Sequence, residues 1–115
     1  MNQKYENFSL QQWRQVEQGE LEKLTNEQIE FYAKPEYDAL QMEQIRLAIQ
    51  DGLSEEQLNI GANPKFSWRQ MAEIYSGFRK GLSVGEVKKY AKPELDPLSM
   101  FQVKVKILHK CGKLN

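Results

Sequence analysis

The residues in this sequence that could perform catalysis are few. The only histidine, His109, stands two positions before the only cysteine, Cys111. A Cys–His nucleophilic pair needs the two side chains to face each other and a third group to orient them. Residues i and i+2 of a helix do not face each other, so this pair predicts no catalytic site.

Other motifs for catalysis or cofactor binding are missing. The sequence contains no G-x-x-x-x-G-K-[ST], G-x-G-x-x-G or G-x-S-x-G string, which are the phosphate-binding, dinucleotide-binding and hydrolase motifs. A metal site would need further Cys, His or clustered carboxylates at ligand spacing. Paired acids such as Glu55 and Glu56 fall in the first turn of a predicted helix, where the helix dipole accounts for them. The sequence therefore predicts a non-enzyme that has no cofactor and no metal.

Charge is distributed unevenly along the chain. Residues 1–60 contain five Lys/Arg and twelve Asp/Glu, a net charge of −7, whereas residues 61–115 contain eleven and four, a net charge of +7. Aromatic residues lie among the cations of the second half: Trp68, Tyr75, Phe78 and Tyr90. Such a mixture can contact phosphates and stack on unpaired bases. The candidate nucleic-acid-binding residues are Arg69, Arg79, Lys80, Lys88 and Lys89, and further lysines follow at Lys104, Lys106, Lys110 and Lys113.

Two other interpretations of the charge pattern stay open. The basic residues can form a solvated face with the aromatics in the core, although of these aromatics Phe78 falls at a core position and Trp68 and Tyr75 do not. The opposite halves also allow two copies of the chain to pair, or one copy to dock on a protein of complementary charge. The partner is therefore an unidentified protein, a second copy of the chain or, as the alternative, nucleic acid.

A 29-residue repeat organises the sequence. YAKP occurs twice, GANP stands between the two copies, and the final prolines Pro35, Pro64 and Pro93 are 29 residues apart. Residues 8–35, 37–64 and 66–93 align without a gap, and residues 95–115 begin a fourth copy that stops early. We predict one domain over residues 1–115, with repeats at 7–35, 36–64 and 65–93 and a truncated repeat at 94–115.

Each full repeat carries two signals for the start of a helix. The first is a Ser or Asp with Gln three residues later in the full repeats, and the second is a Thr or Ser with Gln or Glu three residues later; both match the capping box. Apolar residues at helical spacing follow the first signal, and a proline ends each repeat. These predicted core residues are Trp13, Val16, Leu24, Met42, Ile45, Ile49, Leu53, Met71, Ile74, Phe78, Leu82, Met100, Val103 and Ile107. The predicted fold is all-α: three and a half helix-turn-helix hairpins stacked as a small bundle or short solenoid.

The last repeat offers a candidate binding surface. Residues 101–107, FQVKVKI, alternate like a strand, but the repeat register favours a helix. In that helix Phe101, Val105 and Leu108 lie on a different face from Met100 and Val103. Because this repeat lacks a short helix and the ends of a stack must be capped or used, these three residues are the candidate partner-binding strip. The alternative is that they belong to the terminal core against the third repeat.

Two segments, AKPEYDALQMEQIRLAIQDGLS and GLSVGEVKKYAKPELDPLSM, resemble a degenerate repeat from proteins of mobile genetic elements in Gram-positive bacteria. Copies there carry an aromatic, a capping residue, QM-x-x-I-R and a terminal G-L-S. The similarity covers about residues 7–110, and the third and first repeats depart from it at Tyr75 and Glu17, where the arginine would stand. The best match is in the second repeat, at Gln41, Met42, Ile45, Arg46, Gly52, Leu53 and Ser54. The resemblance implies an accessory module of a phage, plasmid or conjugative element, and it implies no site residues.

The sequence therefore predicts a protein-interaction module, with nucleic-acid binding through the basic half as the alternative. The longest apolar runs are far shorter than the roughly 18 residues of a membrane span. The polar N-terminus and the single cysteine favour a cytoplasmic protein.

Overall fold

A computed structural model describes residues 5–112, and within this range the chain forms seven helices and no strand. The helices are α1 (Leu10–Leu21), α2 (Asn26–Tyr32), α3 (Ala39–Gln50), α4 (Glu55–Gly61), α5 (Trp68–Arg79), α6 (Val84–Lys88) and α7 (Pro97–Lys110). The all-α prediction is confirmed. Residues 101–107 lie in α7, so the repeat register predicted them correctly and the alternating pattern did not.

The capping signals start every helix. In all seven, the side-chain oxygen of the residue before the helix accepts a hydrogen bond from a backbone N–H three positions on. The reciprocal bond from the glutamine or glutamate side chain is present in α1 to α6. In α7 Pro97 follows the cap, and the backbone N–H of Ser99 holds the pKa of Asp96 below its ordinary value. The four longer helices begin at Leu10, Ala39, Trp68 and Pro97, each 29 residues after the previous one.

The helices fall into two compact units, α1 to α3 and α4 to α7. In the first unit α3 packs against α1 and α2, and in the second unit α5 packs against α4, α6 and α7. The boundary follows Gly52, so the second predicted repeat contributes α3 to one unit and α4 to the other. The fully buried residues of the two units include Tyr32, Met42 and Ile45 in the first and Met71, Ile74, Tyr75, Val87, Tyr90 and Met100 in the second.

The core of α7 differs from the predicted one. Val103 and Ile107 are half-buried, whereas Met100, Lys104 and Leu108 are buried. These three residues stand at i, i+4 and i+8, which places them on one face of a helix. The lysine fits this face because its Nζ donates hydrogen bonds to Glu73 Oε1 at 2.7 Å and to the Ser76 hydroxyl at 3.1 Å.

Paired tyrosines and glycines fix the hairpins of both units. The Tyr32 hydroxyl donates to the Gln15 carbonyl at 2.6 Å, and the hydroxyl lies where a side chain on Gly19 would be. In the second unit the Tyr90 hydroxyl donates to the Glu73 carbonyl at 2.8 Å and fills the space at Gly77. Burial raises the pKa of Tyr32 to about 12 and also raises that of Tyr90.

The contact between α4 and α5 inverts this arrangement. Gly61 stands 29 residues from both Tyr32 and Tyr90 in the sequence, and Tyr75 of α5 fills the space that this glycine leaves. The Tyr75 ring lies 2.6 Å from where a Cβ on Gly61 would be, and its hydroxyl donates to the Leu58 carbonyl at 2.9 Å. Tyr75 is therefore a core residue, which corrects its predicted position outside the core.

Candidate protein-interaction surface

A groove runs along one face of α1. It has a volume of about 500 Å³ and is lined by Leu10, Trp13, Arg14, Val16, Glu17 and Glu20. A second cavity of about 230 Å³ shares Val16 and Glu20 with it and is otherwise lined by Tyr5, Asn26, Ile29 and Glu30. We call the larger cavity the α1 groove. Half of its lining is apolar or aromatic, and the other half is charged, with one cation, Arg14, and two carboxylates, Glu17 and Glu20.

Three aromatic rings pack against one another beside these cavities. The Tyr5 ring lies 5.1 Å from the Phe8 ring and 5.4 Å from the Trp13 ring, with the latter pair edge to face. Phe8 and Trp13 are 6.1 Å apart. Tyr5 and Phe8 are buried, and Trp13 is half-buried. Packed rings of this kind stabilise one another, so Tyr5 and Phe8 support the Trp13 ring where it lines the groove.

The groove occupies a helix-packing face. The 29-residue spacing of the sequence aligns α1 with α7. In α7 the aligned face packs against α5, and its residues Met100, Lys104 and Leu108 are at most 4% exposed. In α1 three of the aligned residues are exposed, namely Leu10 at 60%, Leu21 at 68% and Glu17, whereas Trp13 is half-buried. The aligned pairs are Leu10 with Pro97, Trp13 with Met100, Glu17 with Lys104 and Leu21 with Leu108, of which Leu21 lies outside the groove lining. Within residues 5–112, therefore, this face is covered in α7 and mostly exposed in α1.

The predicted strip on α7 is only partly accessible. Phe101 is 46% exposed and Val105 is half-buried, but Leu108 is 1% exposed and belongs to the core against α5. Leu98, which sequence reasoning missed, is 64% exposed. Leu98, Phe101 and Val105 stand at i, i+3 and i+7, a spacing that places them on one helix face and that could have identified Leu98. We call these three residues the α7 strip.

The five candidate nucleic-acid-binding residues are all exposed. Arg69 and Arg79 lie at opposite ends of α5, about 15 Å apart along the axis and about 80° apart around it. Lys80 directly follows Arg79. The other two candidates, Lys88 and Lys89, lie at the C-terminal end of α6.

The aromatic residues of the basic half are mostly inaccessible. Tyr75 and Tyr90 are fully buried and Phe78 is 6% exposed, so these rings cannot stack on bases. Trp68 is half-buried, and the Arg69 guanidinium lies 5.2 Å from its ring centroid. Of the four aromatics, therefore, only Trp68 keeps an accessible surface.

The remaining candidates for chemistry are separate from these surfaces. His109 and Cys111 are exposed at the end of α7, and the Cys111 sulfur contacts Glu86 Oε2 at 2.8 Å. Over residues 5–112 no three His, Cys, Asp or Glu side chains are grouped so that they could hold a metal ion. None of the described helices has the length and apolar character needed to cross a membrane.

Comparison with known protein-family models, with curated proteins and with solved structures gives no match for this chain.

Proposed function

We propose that this chain is a non-enzymatic protein-interaction module of a phage or other mobile genetic element, acting in the cytoplasm. In this proposal its hairpins are tandem repeats stacked on one another, and binding uses the faces left open by the stack. The 29-residue spacing of the helix starts supports the repeat. So do the equivalent bonds in the two units, where Arg46 Nε donates to Gln15 Oε1 and Lys104 Nζ donates to Glu73 Oε1.

The observation that carries the proposal is the open α1 groove. An amphipathic helix that lays its apolar face in a hydrophobic groove is a common mode of protein recognition. Large side chains in well-packed pockets dominate the affinity of such contacts, and Trp13 and the exposed Leu10 can serve in this way. Glu17 and Glu20 outnumber Arg14 in the lining, which favours a partner with cations beside its apolar face.

The test is partner retention that depends on the groove. Wild-type chain, Leu10→Asp and the matched control Leu40→Asp are immobilised and exposed to proteins from the cells that encode the chain, and retained proteins are quantified. Leu40 is 48% exposed and does not line the groove. We expect at least one protein to bind wild type and Leu40→Asp but not Leu10→Asp. Equal retention by all three would contradict the proposal.

A second candidate function is nucleic-acid binding through the basic half. It is favoured by the exposure of all five candidate cations, together with the accessible surface of Trp68 beside Arg69. Labelled single- and double-stranded DNA and RNA should then bind at low salt and dissociate steeply as salt rises. Lys88→Ala with Lys89→Ala should reduce the salt slope, and absence of binding at low salt would refute this function.

A further inference from the structure

We propose that the α1 groove binds the α7 strip of a second copy of this chain, head to tail. The inference rests on the proposed function and names the partner. It follows from how the second unit joins its own helices, from the charges beside the two surfaces, and from a reversal of hydrogen-bonding polarity at one position.

The second unit contains a template for this contact. There α7 packs on α5, and Lys104 reaches Glu73 and Ser76 of α5. The residues of α7 that align with these α5 positions are Gln102, which is exposed, and Val105, which is half-buried. Of the residues of α1 that align with the packed face of α7, Trp13 and Glu17 line the α1 groove and Leu21 lies outside it. By register, α1 can lie on the α7 of another copy as α7 lies on α5.

Charge favours this arrangement over symmetric ones. The α1 groove carries Glu17 and Glu20 with one cation, Arg14, so the net charge of its lining is 1 − 2 = −1, whereas the exposed side of α7 carries Lys106 and Lys110. Two α1 grooves facing each other would bring two net-negative surfaces together, and two exposed sides of α7 would bring lysines together. The head-to-tail pairing joins the net-negative surface to the basic one.

One polar position agrees with the same pairing. In each packed pair of long helices we call the later one the entering helix and the earlier one the receiving helix. Inside each unit the entering helix, α3 or α7, brings a cation, Arg46 or Lys104. The receiving helix, α1 or α5, offers an oxygen acceptor from Gln15 or Glu73. In the proposed contact the entering helix brings an acceptor, the Glu17 carboxylate. The receiving residue is Gln102, whose amide N–H can donate. The donor and acceptor are exchanged between the helices, so a hydrogen bond can still form at this position.

A head-to-tail contact uses two different surfaces, so it continues until the rotation closes a ring or it extends as a filament. We therefore expect wild-type chain to form oligomers whose mass grows with concentration and falls with salt, measured by sedimentation velocity. Leu10→Asp blocks the groove, and the new carboxylate stands in the first turn of α1, where the helix dipole favours it. Phe101→Asp blocks the strip at an exposed position of α7.

The deciding experiment mixes the two variants. Each alone should be monomeric, while an equimolar mixture should give a one-to-one heterodimer that grows no further. The intact groove of the Phe101→Asp chain binds the intact strip of the Leu10→Asp chain. The heterodimer grows no further, because its two remaining surfaces are the altered ones and would place Asp against Asp. Leu40→Asp should associate as wild type does. Circular dichroism checks folding, and Leu10→Ser with Phe101→Ser replaces any variant that fails to fold.

Several results would overturn the inference. Wild-type chain that stays monomeric up to about 1 mM, the range of very weak affinity, would exclude it. So would association that survives either substitution, or a mixture that remains monomeric. Association lost in Leu10→Asp alone would indicate groove-to-groove pairing instead. If the chain is monomeric but still retains a groove-dependent partner, the proposed function stands and only the second copy is excluded.

Discussion

The buried glutamine at the start of α5 allows a sharp test of how these hairpins are joined. Gln70 is 7% exposed, and its Oε1 accepts a hydrogen bond from the Ser67 backbone N–H at 2.8 Å. Its Nε2 donates to two carbonyls of the turn that leads to α7, Pro93 at 3.0 Å and Leu95 at 2.6 Å. The amide therefore closes the capping box and also ties the next turn to α5. A carboxylate could do the first but not the second.

The change Gln70→Glu keeps the shape of the side chain and removes the donor. Each lost hydrogen bond weakens stability by about 0.5–1.5 kcal/mol, and a buried group left unpaired adds to this. The introduced carboxylate would also face the Pro93 and Leu95 carbonyl oxygens. We expect Gln70→Glu to lower the free energy of unfolding by about 2–4 kcal/mol.

The matched control is Gln57→Glu. Gln57 closes the capping box of α4 through Oε1, which accepts from the Ser54 N–H at 2.9 Å. The aligned residue of α6 is already a glutamate, Glu86, which accepts from the Ser83 N–H in the same way. Only the acceptor is used at this position, so Gln57→Glu should change stability by less than about 0.5 kcal/mol.

The penalty for Gln70→Glu should depend on pH. Burial and the two carbonyl oxygens raise the pKa of the introduced carboxyl in the folded state above its unfolded value of about 4.3. The folded state then holds the proton more tightly, so the penalty is present above this range and shrinks as pH falls. The assay is urea denaturation followed by Trp68 fluorescence in a Trp13→Phe background. Equal effects of the two substitutions, or a penalty that pH does not alter, would refute the reasoning.

Three further predictions concern the core. Ile45→Ala at a fully buried position should destabilise by about 2–5 kcal/mol, and a denaturation shift below about 0.5 kcal/mol would show that the inward face is wrong. Gly77→Ala should destabilise by about 1–3 kcal/mol, since its methyl group meets the Tyr90 hydroxyl; Gly85→Ala, at an exposed position with space around it, should be neutral or stabilising by up to about 1 kcal/mol. Because the pKa of Tyr32 is raised from 10.0 to about 12 in the folded state, stability should fall between these pH values; Tyr32→Phe should remove this share of the loss, and an unchanged slope would contradict it.

Much of the secondary structure follows from the sequence because its signals are local. A capping box involves residues three positions apart, so Ser67 with Gln70 predicts the start of α5 without knowledge of any neighbour. The same signals predicted the helix over residues 101–107 against their alternating pattern, because Asp96 and Pro97 place that segment one turn into a helix.

The hydrogen bonds that the capping-box glutamines donate through Nε2 reach residues far away in the sequence, and the sequence does not predict them. The three long helices that open with a capping box have glutamine at this position, whereas the short helices accept glutamine or glutamate. In α1 the Gln12 Nε2 donates to the Tyr37 carbonyl at 2.7 Å, 25 residues away. The preference for an amide in the long helices was visible in the sequence, but its reason lies in a turn that only the fold brings near.

One aligned position shows why the accessible surface was harder to predict than the helices. The residues there are Glu17, Arg46, Tyr75 and Lys104, and three of the four are buried. Counting charges along the sequence placed Lys104 among the surface cations, yet it is 4% exposed because α5 supplies Glu73 and Ser76. For Arg46 and Lys104 burial depends on an acceptor from the preceding long helix, 31 residues away in the sequence, and for Tyr75 it depends on the Leu58 carbonyl, 17 residues away. For Glu17 no preceding helix is present within the described residues, so its carboxylate lines an open groove. Arg46 and Lys104 are buried because a neighbouring helix supplies the complementary hydrogen-bonding group. By the same reasoning, we predict that the α1 groove accepts a helix that carries a hydrogen-bond donor for Glu17.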